Sequence, residues 1–324
     1  MRKIVGIAAG GDSAEESISL LSAQTVYDNL DKNKFEPIIV KMKQGIWEAQ
    51  LNGQQYPIDK NDFSFLFEEG KIKFDFIFIA IHGTPGEDGK LQAYFDLLGI
   101  PYSSPNHIGS TLTFNKWYCN TLLNQLGYQV AQSFYLRRNE KIKEEEILAK
   151  VGIPCFVKPC SCGSSYGISK VKDAENLFGA ITMAFEYDVE IMIEEALDGV
   201  ELTCGVYREN GEVKPLPITQ IIPKGEFFDF EAKYEGNSSE ITPARIDENN
   251  YNTIQKIAAE VYERLDLRGI CRVDFMLVEN TPYIIEVNAV PGLSPESLIP
   301  QQVEAAKIPL RDFFTTIIHE TIDN

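Results

Sequence analysis

The residue types best suited to metal or phosphate chemistry fall in one stretch near the carboxy-terminal end, CRVDFMLVENTPYIIEVNAVPG, which spans residues 271–292. Two runs rich in β-forming residues, 272–278 and 282–288, are separated by Glu279-Asn280-Thr281. This pattern predicts a β-hairpin with a three-residue loop. Because side chains alternate along a strand, the charged and amide residues of both runs should share one face and the apolar residues the other.

The polar face of this hairpin would carry two acids, an amide and a guanidinium. A loop centred on Asn280 places Asp274 opposite Glu286, and it also places Arg272 opposite Asn288. Opposed Cβ atoms lie about 5 Å apart, and two carboxylates at that distance repel unless a positive charge lies between them. Oxygen ligands without Cys or His favour magnesium, which usually brings phosphates with it. A surface hairpin whose acids simply pair with Arg272 is the alternative.

Length, charge and cysteine usage narrow the class of protein. A chain of 324 residues should hold two or three domains with ample cores. The formal charge of −18 argues against a nucleic-acid-binding surface, but a few lysines and a metal could still hold a small phosphate ligand. We expect no secretory signal, because the apolar run at the start, MRKIVGIAAGGDSAEE, is too short, and no membrane span, because no run of about 18 apolar residues occurs. Six scattered cysteines indicate free thiols in a reducing cytoplasm.

The amino-terminal third has the pattern of an open parallel α/β sheet. Apolar runs predict strands at 3–9, 35–42 and 75–81. Ser13-Ala14-Glu15-Glu16 predicts a capping box that opens a helix. Ligands of such sheets collect at the carboxyl ends of the strands, where Glu15 and His82 would lie. The alternatives are a first-turn acid that favours the helix dipole for Glu15 and a histidine satisfied within its loop for His82.

A candidate phosphate site follows a predicted domain boundary at 101–105. We expect a helix over 108–126 that carries Lys116, and then a strand that ends in Lys158. The small-residue loop 160–167 after that strand offers backbone N–H groups to a phosphate, although it lacks the GK[ST] ending of a Walker loop.

Two acids and a long loop complete a candidate nucleotide site. Strands predicted at 190–196 and 199–203 carry Glu194 and Glu201, which could bind a nucleotide or be merely solvated. The segment 226–239 has no clear period and is predicted as a long loop of the kind that often carries function. Helices close the chain at about 248–265, 297–306 and 310–322.

Seven segments along nearly the whole chain resemble the D-alanine–D-alanine ligase family of the ATP-grasp superfamily, and they occur in the family's order. They are GGDSAEESISLLS, FIAIHGTPGEDGKLQAYFDLLGIPY, FVKPCSCGSSYGISKV, IEEALDGVELT, FFDFEAKY, RVDFML and IIEVNAVPGLSPESLIP. The resemblance implies an α/β protein with a three-domain ATP-grasp fold. It implies an amino-terminal parallel, Rossmann-like α/β domain (1–104), a central α+β lobe with the glycine-rich loop (105–197) and a carboxy-terminal α+β lobe with the hairpin and the long loop (198–324).

The resemblance also implies which ligand each site residue binds. ATP would be bound through its phosphates, adenine and ribose by Lys116, Lys158, Lys233, Glu194, the Leu197 backbone, Phe227, Met276 and Glu201. Two Mg²⁺ or Mn²⁺ ions would be held by Asp274, Glu286 and Asn288. The catalytic and substrate-binding residues would be Glu15, Ser164, Tyr234, His82, Arg272, Ser297 and the Leu298 backbone. Within this set Glu15 takes the ammonium of the first D-alanine, and Ser297 with Leu298 takes the carboxylate of the second at a helix start.

The implied reaction is the ATP-dependent, ADP-forming ligation of two D-alanine molecules through an acyl phosphate, for peptidoglycan precursor synthesis, by a cytoplasmic homodimer. Ser161 and Cys162 replace a common Arg/Asn and Glu/Gly pair, and Ala196 replaces an aromatic residue of some members. Family members that make D-alanyl-D-lactate tend to change the tyrosine that corresponds to Tyr234, so its presence favours D-alanine as the second substrate. A D-lactate or D-serine ligase, or a nucleotide-binding protein without turnover, is the alternative.

Overall fold

The computed structural model of the chain describes residues 2–68, 70–163, 166–223 and 238–322, and these residues include three large sheets around one cleft. The first sheet contains β1 (Lys3–Gly10), β2 (Phe35–Lys43), β3 (Ile46–Leu51), β4 (Gln54–Pro57) and β7 (Phe76–Ile79), while β5 (Ser64–Phe67) and β6 (Gly70–Lys73) form a separate hairpin. Its order is β4-β3-β2-β1-β7, with β1 parallel to both neighbours. Its helices are α1 (Glu16–Asn29) and α2 (Lys90–Leu98). The parallel α/β prediction is confirmed, and the cleft lies at its carboxyl edge.

Helix α1 begins without the predicted capping box. Glu15 is the N-cap residue, but no side chain caps the helix. The Ser13 hydroxyl instead donates to the carbonyl oxygen of His82 at 2.8 Å and accepts the N–H of Glu15 at 3.2 Å. The capping-box prediction was therefore wrong, because Ser13 joins the turn after β1 to the loop after β7. The Glu15 side chain lines the cleft.

The single helix predicted over 108–126 is two helices, α3 (His107–Phe114) and α4 (Lys116–Gln125). The break is at Asn115, whose side chain accepts the N–H of Tyr118 at 3.1 Å and caps α4. A side-chain acceptor at such a position replaces the backbone carbonyl that would continue the helix, which is why asparagine favours helix starts.

The second sheet is antiparallel and carries the glycine-rich loop. Its strands are β8 (Ser133–Arg137), β9 (Cys155–Pro159), β10 (Ser169–Val171) and β11 (Glu190–Glu195), in the order β10-β9-β11-β8. Helix α5 (Glu144–Val151), a short 3₁₀ turn (Ala174–Asn176) and helix α6 (Leu177–Tyr187) accompany it. Val157, Ile181 and Ile193 lie in the buried core of this part of the chain.

The third sheet is also antiparallel and contains the hairpin. Its strands are β12 (Val200–Glu209), β13 (Glu212–Pro215), β14 (Thr219–Pro223), β15 (Ser238–Ile241), β16 (Cys271–Val278) and β17 (Thr281–Asn288). The order is β15-β14-β12-β16-β17, with β13 also paired to β12. Its helices are α7 (Glu248–Arg264), α8 (Leu298–Ala305) and α9 (Leu310–Ile322). Cys119 and Leu123 of α4 share a core with Leu202 and Val273, so α4 packs on this sheet.

The hairpin has the predicted register at Asp274, but its turn and its ladder differ from the prediction. Its turn has two residues, Glu279 and Asn280, both with positive φ (46° and 68°), so the predicted three-residue loop was wrong. A regular ladder from this turn would set Asp274 opposite Ile285. A register shift after Asp274 leaves Ile285 unpaired as a bulge and brings Glu286 opposite Asp274. The predicted pairing of the acids is confirmed, and it depends on this bulge.

Among the described residues, no helix combines the length and the apolar character needed to cross a membrane.

Candidate active site

A cavity of about 660 Å³ lies where the three sheets meet, and it brings together residues that the sequence holds far apart. The site residues predicted from the sequence that line it are Glu15, His82, Lys116, Lys158, Glu194, Leu197, Glu201, Arg272, Asp274, Met276, Glu286, Asn288, Ser297 and Leu298. Four further predicted residues, Ser164, Phe227, Lys233 and Tyr234, lie outside the described residues. The cavity therefore contains every predicted site residue that the structure describes.

Asp274, on the polar face of the hairpin, has four hydrogen-bond contacts with described residues. The Nε and Nη2 atoms of Arg272 donate to its two carboxylate oxygens, each at 2.8 Å. The hydroxyl of Thr203 donates to Oδ1 at 2.6 Å, and Nδ2 of Asn288 donates to Oδ2 at 3.0 Å. Asp274 is only 8% exposed, so this contact set compensates for the burial of its charge.

Glu286 faces Asp274 across the ladder and pairs with a different cation. Its Oε2 lies 3.1 Å from Nζ of Lys116, at the first turn of α4. Burial lowers the pKa of Lys116, but the charge of Glu286, with a smaller contribution from Glu87, outweighs it and raises that pKa. Within the described residues, Arg272 thus pairs with Asp274 and Lys116 pairs with Glu286, which lowers the repulsion between the two acids.

The donor chemistry of this face suits a hard divalent cation. Asp274 and Glu286 supply carboxylate oxygens and Asn288 supplies an amide, with no thiol or imidazole, which is the ligand set of magnesium or manganese. Within the described part of the chain, no cluster of three or more His, Cys, Asp and Glu residues is placed to hold a metal ion. A metal ion here would have to be coordinated by the two acids, the amide and ligands from outside the protein, as magnesium bound beside phosphates is.

Lys158 and Glu194 form an ion pair in the floor of the cavity. They lie on the neighbouring strands β9 and β11 and are 5% and 7% exposed. A buried charge that loses its partner costs several kcal/mol, so each residue requires the other as long as no ligand replaces it. The sequence placed both residues near the nucleotide, but it gave no indication that they pair with each other.

An apolar patch adjoins this ion pair. Phe156 pairs with Glu194 across β9 and β11 and lines the cavity together with Ile168, Leu197 and Met276. The resemblance implied Phe227, which lies outside the described residues, and Met276 as the residues near adenine, because Ala196 stands where some family members have an aromatic residue. Phe156 is a candidate that strand alternation alone could have found, since it is two residues before Lys158 and shares its face.

The glycine-rich loop approaches Glu15 closely. A Cβ atom at Gly163 would collide with the carboxylate of Glu15. The loop is also tied to the start of α4, because the Lys116 N–H donates to the Cys160 carbonyl at 2.9 Å and Nζ of Lys116 donates to the Cys162 carbonyl at 3.1 Å. Gly163 therefore allows the loop to pack directly against Glu15, the residue that precedes α1.

Glu87 is a cavity residue that the sequence analysis did not single out. Its Oε2 accepts the N–H of Gly83 at 3.0 Å. Burial, followed by the charge of Glu15, raises its pKa from 4.5 to about 7. The argument that selected His82, an ionisable residue in the loop after a parallel strand, applies equally to Glu87 and could have found it. Glu240, whose pKa is also raised by burial, lines the cavity as well.

The polar atoms of His82 and Ser297 lie within hydrogen-bond distance of other residues of the chain. His82 is 4% exposed, and its ring nitrogens lie 2.8 Å from the Val290 carbonyl oxygen and 2.9 Å from the Ser22 hydroxyl. Ser297 is the N-cap residue of α8, and its hydroxyl lies 2.8 Å from that of Ser294. The Leu298 backbone N–H is thus at the first position of a helix, where anions bind favourably.

Two antiparallel lobes that enclose lysines and acids, beside a parallel α/β sheet, define a protein of the ATP-grasp class. Solved structures support this class. The chain aligns over 98% of its length with 99% of VanG D-Ala:D-Ser ligase from Enterococcus faecalis (TM-score 0.88, 31% identity). It aligns over 99% of its length with 96% of the D-alanine–D-alanine ligase from Bacillus anthracis complexed with ATP (TM-score 0.78, 28% identity).

Sequence comparison defines the family. Residues 4–105 match the family model described as D-ala D-ala ligase N-terminus, and residues 122–319 match the one described as D-ala D-ala ligase C-terminus. The D-alanine–D-alanine ligase of Flavobacterium johnsoniae is 48% identical over 317 residues, which cover 98% of each chain. The chain belongs to the D-alanine–D-alanine ligase family.

Proposed function

We propose that the protein joins two D-alanine molecules to D-alanyl-D-alanine with ATP, releasing ADP and phosphate, for peptidoglycan precursor synthesis. The observation that carries this proposal is the convergence of Glu15, Lys158, Arg272 and Ser297 in one cavity of a chain 48% identical to a D-alanine–D-alanine ligase. These side chains supply, in order, a partner for an ammonium group, a partner for phosphate, a partner for the transferring group and a partner for a carboxylate.

ATP is needed because an amine cannot displace oxide from a carboxylate. The carboxylate oxygen of the first D-alanine attacks the γ-phosphorus, and the bond from that phosphorus to the β–γ bridging oxygen breaks, so that ADP leaves. The amine of the second D-alanine then loses a proton and attacks the acyl carbon, and the C–O bond to phosphate breaks. Excluding water protects the acyl phosphate from hydrolysis, which is a reason for a site enclosed on several sides.

In this proposal the cations of the cleft change partners when the substrate binds. Lys158 leaves Glu194 for the phosphates, Lys116 and Lys233 contact them too, and Arg272 stabilises the charge of the transferring phosphoryl group. Glu194, the Leu197 backbone and Met276 hold adenine with Phe227, and Glu201 holds the ribose. Asp274, Glu286 and Asn288 would hold Mg²⁺ or Mn²⁺, two ions per site, which would neutralise charge on the phosphates.

The two amino acids bind through opposite charges. Glu15 pairs with the ammonium of the first D-alanine, with Ser164 and Tyr234 linked to Glu15 by hydrogen bonds and His82 nearby. Ser297 and the Leu298 N–H take the carboxylate of the second D-alanine. This arrangement directs the amine of the second molecule toward the activated carboxyl of the first.

Three broader predictions belong to the same proposal. The domains are 1–104, 105–197 and 198–324, the chain acts as a homodimer, and it acts in the cytoplasm. The packing of α4 on the third sheet means that the segment after 105 crosses from one lobe to the other.

An ADP-release assay with magnesium, run with D-alanine and then with D-alanine plus D-serine or D-lactate, tests the proposal. We expect the highest rate with D-alanine alone and none with L-amino acids. A clear preference for D-serine, which the name of the VanG relative includes, or for D-lactate would show that this compound, and not D-alanine, is the second substrate. ATP binding without ADP release in the presence of any amino acid would refute the ligase function.

A further inference from the structure

A chain of hydrogen bonds lies behind the cleft and joins the first sheet to the turn 290–293. The N–H of Leu293 donates to the Ser22 hydroxyl oxygen at 3.0 Å. The same hydroxyl lies 2.9 Å from Nε2 of His82, and Nδ1 of His82 lies 2.8 Å from the Val290 carbonyl oxygen. Ser22 is on α1 and is fully buried, and His82, Val290 and Leu293 are buried as well, so these polar groups bond to one another rather than to bulk water.

The ends of this chain fix the position of every hydrogen in it. The Val290 carbonyl can only accept, so Nδ1 of His82 carries a hydrogen. The Leu293 N–H can only donate, so the Ser22 oxygen accepts there. Among the described residues, Nε2 of His82 is the other polar atom within hydrogen-bond distance of this hydroxyl, so the Ser22 hydrogen goes to Nε2. His82 is therefore a neutral imidazole with its hydrogen on Nδ1, and none of the four groups is left without a partner.

The charged surroundings of His82 agree with a neutral ring. Burial lowers the pKa of His82, and Arg272 on β16 acts in the same direction. Glu15 at the start of α1 and the hydrogen bond to Val290 act in the opposite direction, but the pKa remains below its usual value. Glu87, from the same loop as His82, also faces this region and keeps a raised pKa.

The turn held by these bonds packs directly against the start of α8. A Cβ atom at Gly292 would lie 2.7 Å from Oγ of Ser297, so the backbone of the turn packs closely against the serine. The N–H of Ser297 donates to the carbonyl of Ser294 at 2.9 Å, so the segment from the turn to the helix is continuous. A displacement of the turn would therefore displace Ser297.

We propose that Ser22 is a positioning residue for the second amino acid, because it holds His82 in one neutral tautomer and so fixes the turn 290–293 against which Ser297 packs. This inference rests on the proposed function, in which Ser297 and Leu298 bind the carboxylate of that amino acid. Ser22 acts through His82 and the turn and does not itself need to contact the substrate.

The tautomer can be measured on the unmodified protein. The chain has three histidines, so a sample labelled with ¹⁵N-histidine gives a simple long-range ¹H–¹⁵N spectrum, and a His82→Asn sample assigns the ring. Between about pH 6 and 8, where an ordinary histidine titrates, we expect Nδ1 to be protonated and Nε2 to be bare. A hydrogen on Nε2, or a ring that titrates in this range, would overturn the proposal.

Ser22→Ala, compared with Ser19→Ala, tests the consequence for the substrate. Ser19 is an equally buried serine of α1 that accepts the Gly10 N–H and donates to the Ala80 carbonyl, at 2.8 and 2.7 Å, within the first sheet alone. The rate of ADP release against D-alanine concentration is fitted as two sequential binding steps, and amide exchange is followed by mass spectrometry. For Ser22→Ala we expect about tenfold weaker binding in the second step and about tenfold faster exchange in 290–293, as for one lost hydrogen bond. The first binding step should not change.

Ser19→Ala should leave the second binding step and the exchange of 290–293 unchanged. If the wild-type protein is active and Ser22→Ala changes neither the second binding step nor the exchange of 290–293, the positioning role is wrong. The same conclusion follows if Ser19→Ala changes both quantities as much as Ser22→Ala does. A wild-type protein that releases no ADP would refute the proposed function, and with it the role for the second amino acid. The spectrum and the exchange data would still report whether the hydrogen-bond chain exists.

Discussion

The face of the cleft and the hydrogen-bond chain behind it bury polar groups in opposite ways. Among the described residues, the cleft face does so with the ion pairs Arg272–Asp274, Lys116–Glu286 and Lys158–Glu194. The region behind it uses neutral groups only, the Ser22 hydroxyl, the His82 imidazole and backbone amides. Both solutions avoid unpaired buried polarity, but they differ in what a ligand can do to them.

An ion pair can exchange its partner for a ligand of the same charge, whereas a closed neutral chain cannot accept one. A triphosphate with a divalent cation offers negative charge to the lysines and positive charge to Asp274 and Glu286, while Glu194 would exchange Lys158 for a hydrogen bond with adenine. His82 has no ring nitrogen left to offer. Residues of the cleft face are therefore suited to binding and catalysis, and those behind it to holding the site in shape.

Glu286→Gln should have the largest effect, because it removes charge from the cleft face at a predicted metal position. We expect ADP release with D-alanine to fall on the order of 10²-fold or more, with the fold retained, since the amide keeps the size of the side chain. Steady-state kinetics and thermal unfolding measure the two quantities. Glu304→Gln, an exposed acid of α8, is the control and should keep the wild-type rate. Unchanged turnover in Glu286→Gln would remove it from the metal site.

Glu87→Gln should change how stability depends on pH. The pKa of Glu87 rises from 4.5 to about 7 on folding, so the folded protein binds more protons than the unfolded chain between these values, and its stability falls as pH rises through this window. Removing the carboxylate removes this loss, on the order of 3 kcal/mol. We expect urea unfolding to show that the free energy of unfolding of the variant, relative to wild type, is higher at pH 8 than at pH 5.

The control for Glu87→Gln is Glu16→Gln, because the hydrogen bond from Lys43 lowers the pKa of Glu16. The Glu16 carboxylate contributes stability above the unfolded pKa, so Glu16→Gln should not have a higher free energy of unfolding than wild type at pH 8. The same pH dependence in wild type and Glu87→Gln would show that Glu87 does not titrate in this window.

Glu15→Ala should raise KM for the first D-alanine by roughly 10- to 100-fold, the range expected when a hydrogen bond between charged groups is lost. The effect on the second binding step and on ATP should be much smaller. The two-step fit of ADP release separates these quantities. If the first KM stays at its wild-type value, Glu15 has no part in binding that substrate.

Gly163→Ala should have the smallest effect, because the loop can shift in part. Its new Cβ would meet the Glu15 carboxylate, so we expect about a tenfold loss in kcat/KM for the first D-alanine, from roughly 1–3 kcal/mol of strain. Gly179→Ala on α6, where a Cβ meets nothing within 4 Å, is the matched control and should keep full activity. Equal activity in both variants would show that the loop does not approach Glu15 in solution.

Local patterns predicted most of the elements, and a β-bulge and two side-chain hydrogen bonds account for three of the errors. Strand alternation and turn chemistry were sufficient to predict the hairpin and its polar face. The loop length was wrong because the sequence does not reveal the bulge at Ile285. The helix predicted over 108–126 was interrupted because the acceptor on Asn115 caps a new helix. The capping box failed because Ser13 bonds to a loop that is distant in sequence.

The site could be predicted as a set of residues, but not as a set of contacts. Strand ends and the resemblance to a family indicated Glu15, Lys158 and Glu194, which do line one cavity. The pairing of Lys158 with Glu194 and the chain through Ser22 depend on how distant segments pack, and no local period encodes that packing. Ser22 in particular looks like any small residue on the buried face of a helix.

The most direct test of exchangeable ion pairs is a crystal structure of the protein with a non-hydrolysable ATP analogue and Mg²⁺. We expect Lys158 to contact a phosphate rather than Glu194, and Asp274 and Glu286 to face a common cation, while the bonds among Ser22, His82, Val290 and Leu293 stay as they are. Acids that face apart with no cation between them, or a Lys158–Glu194 pair that persists beside bound nucleotide, would contradict this account.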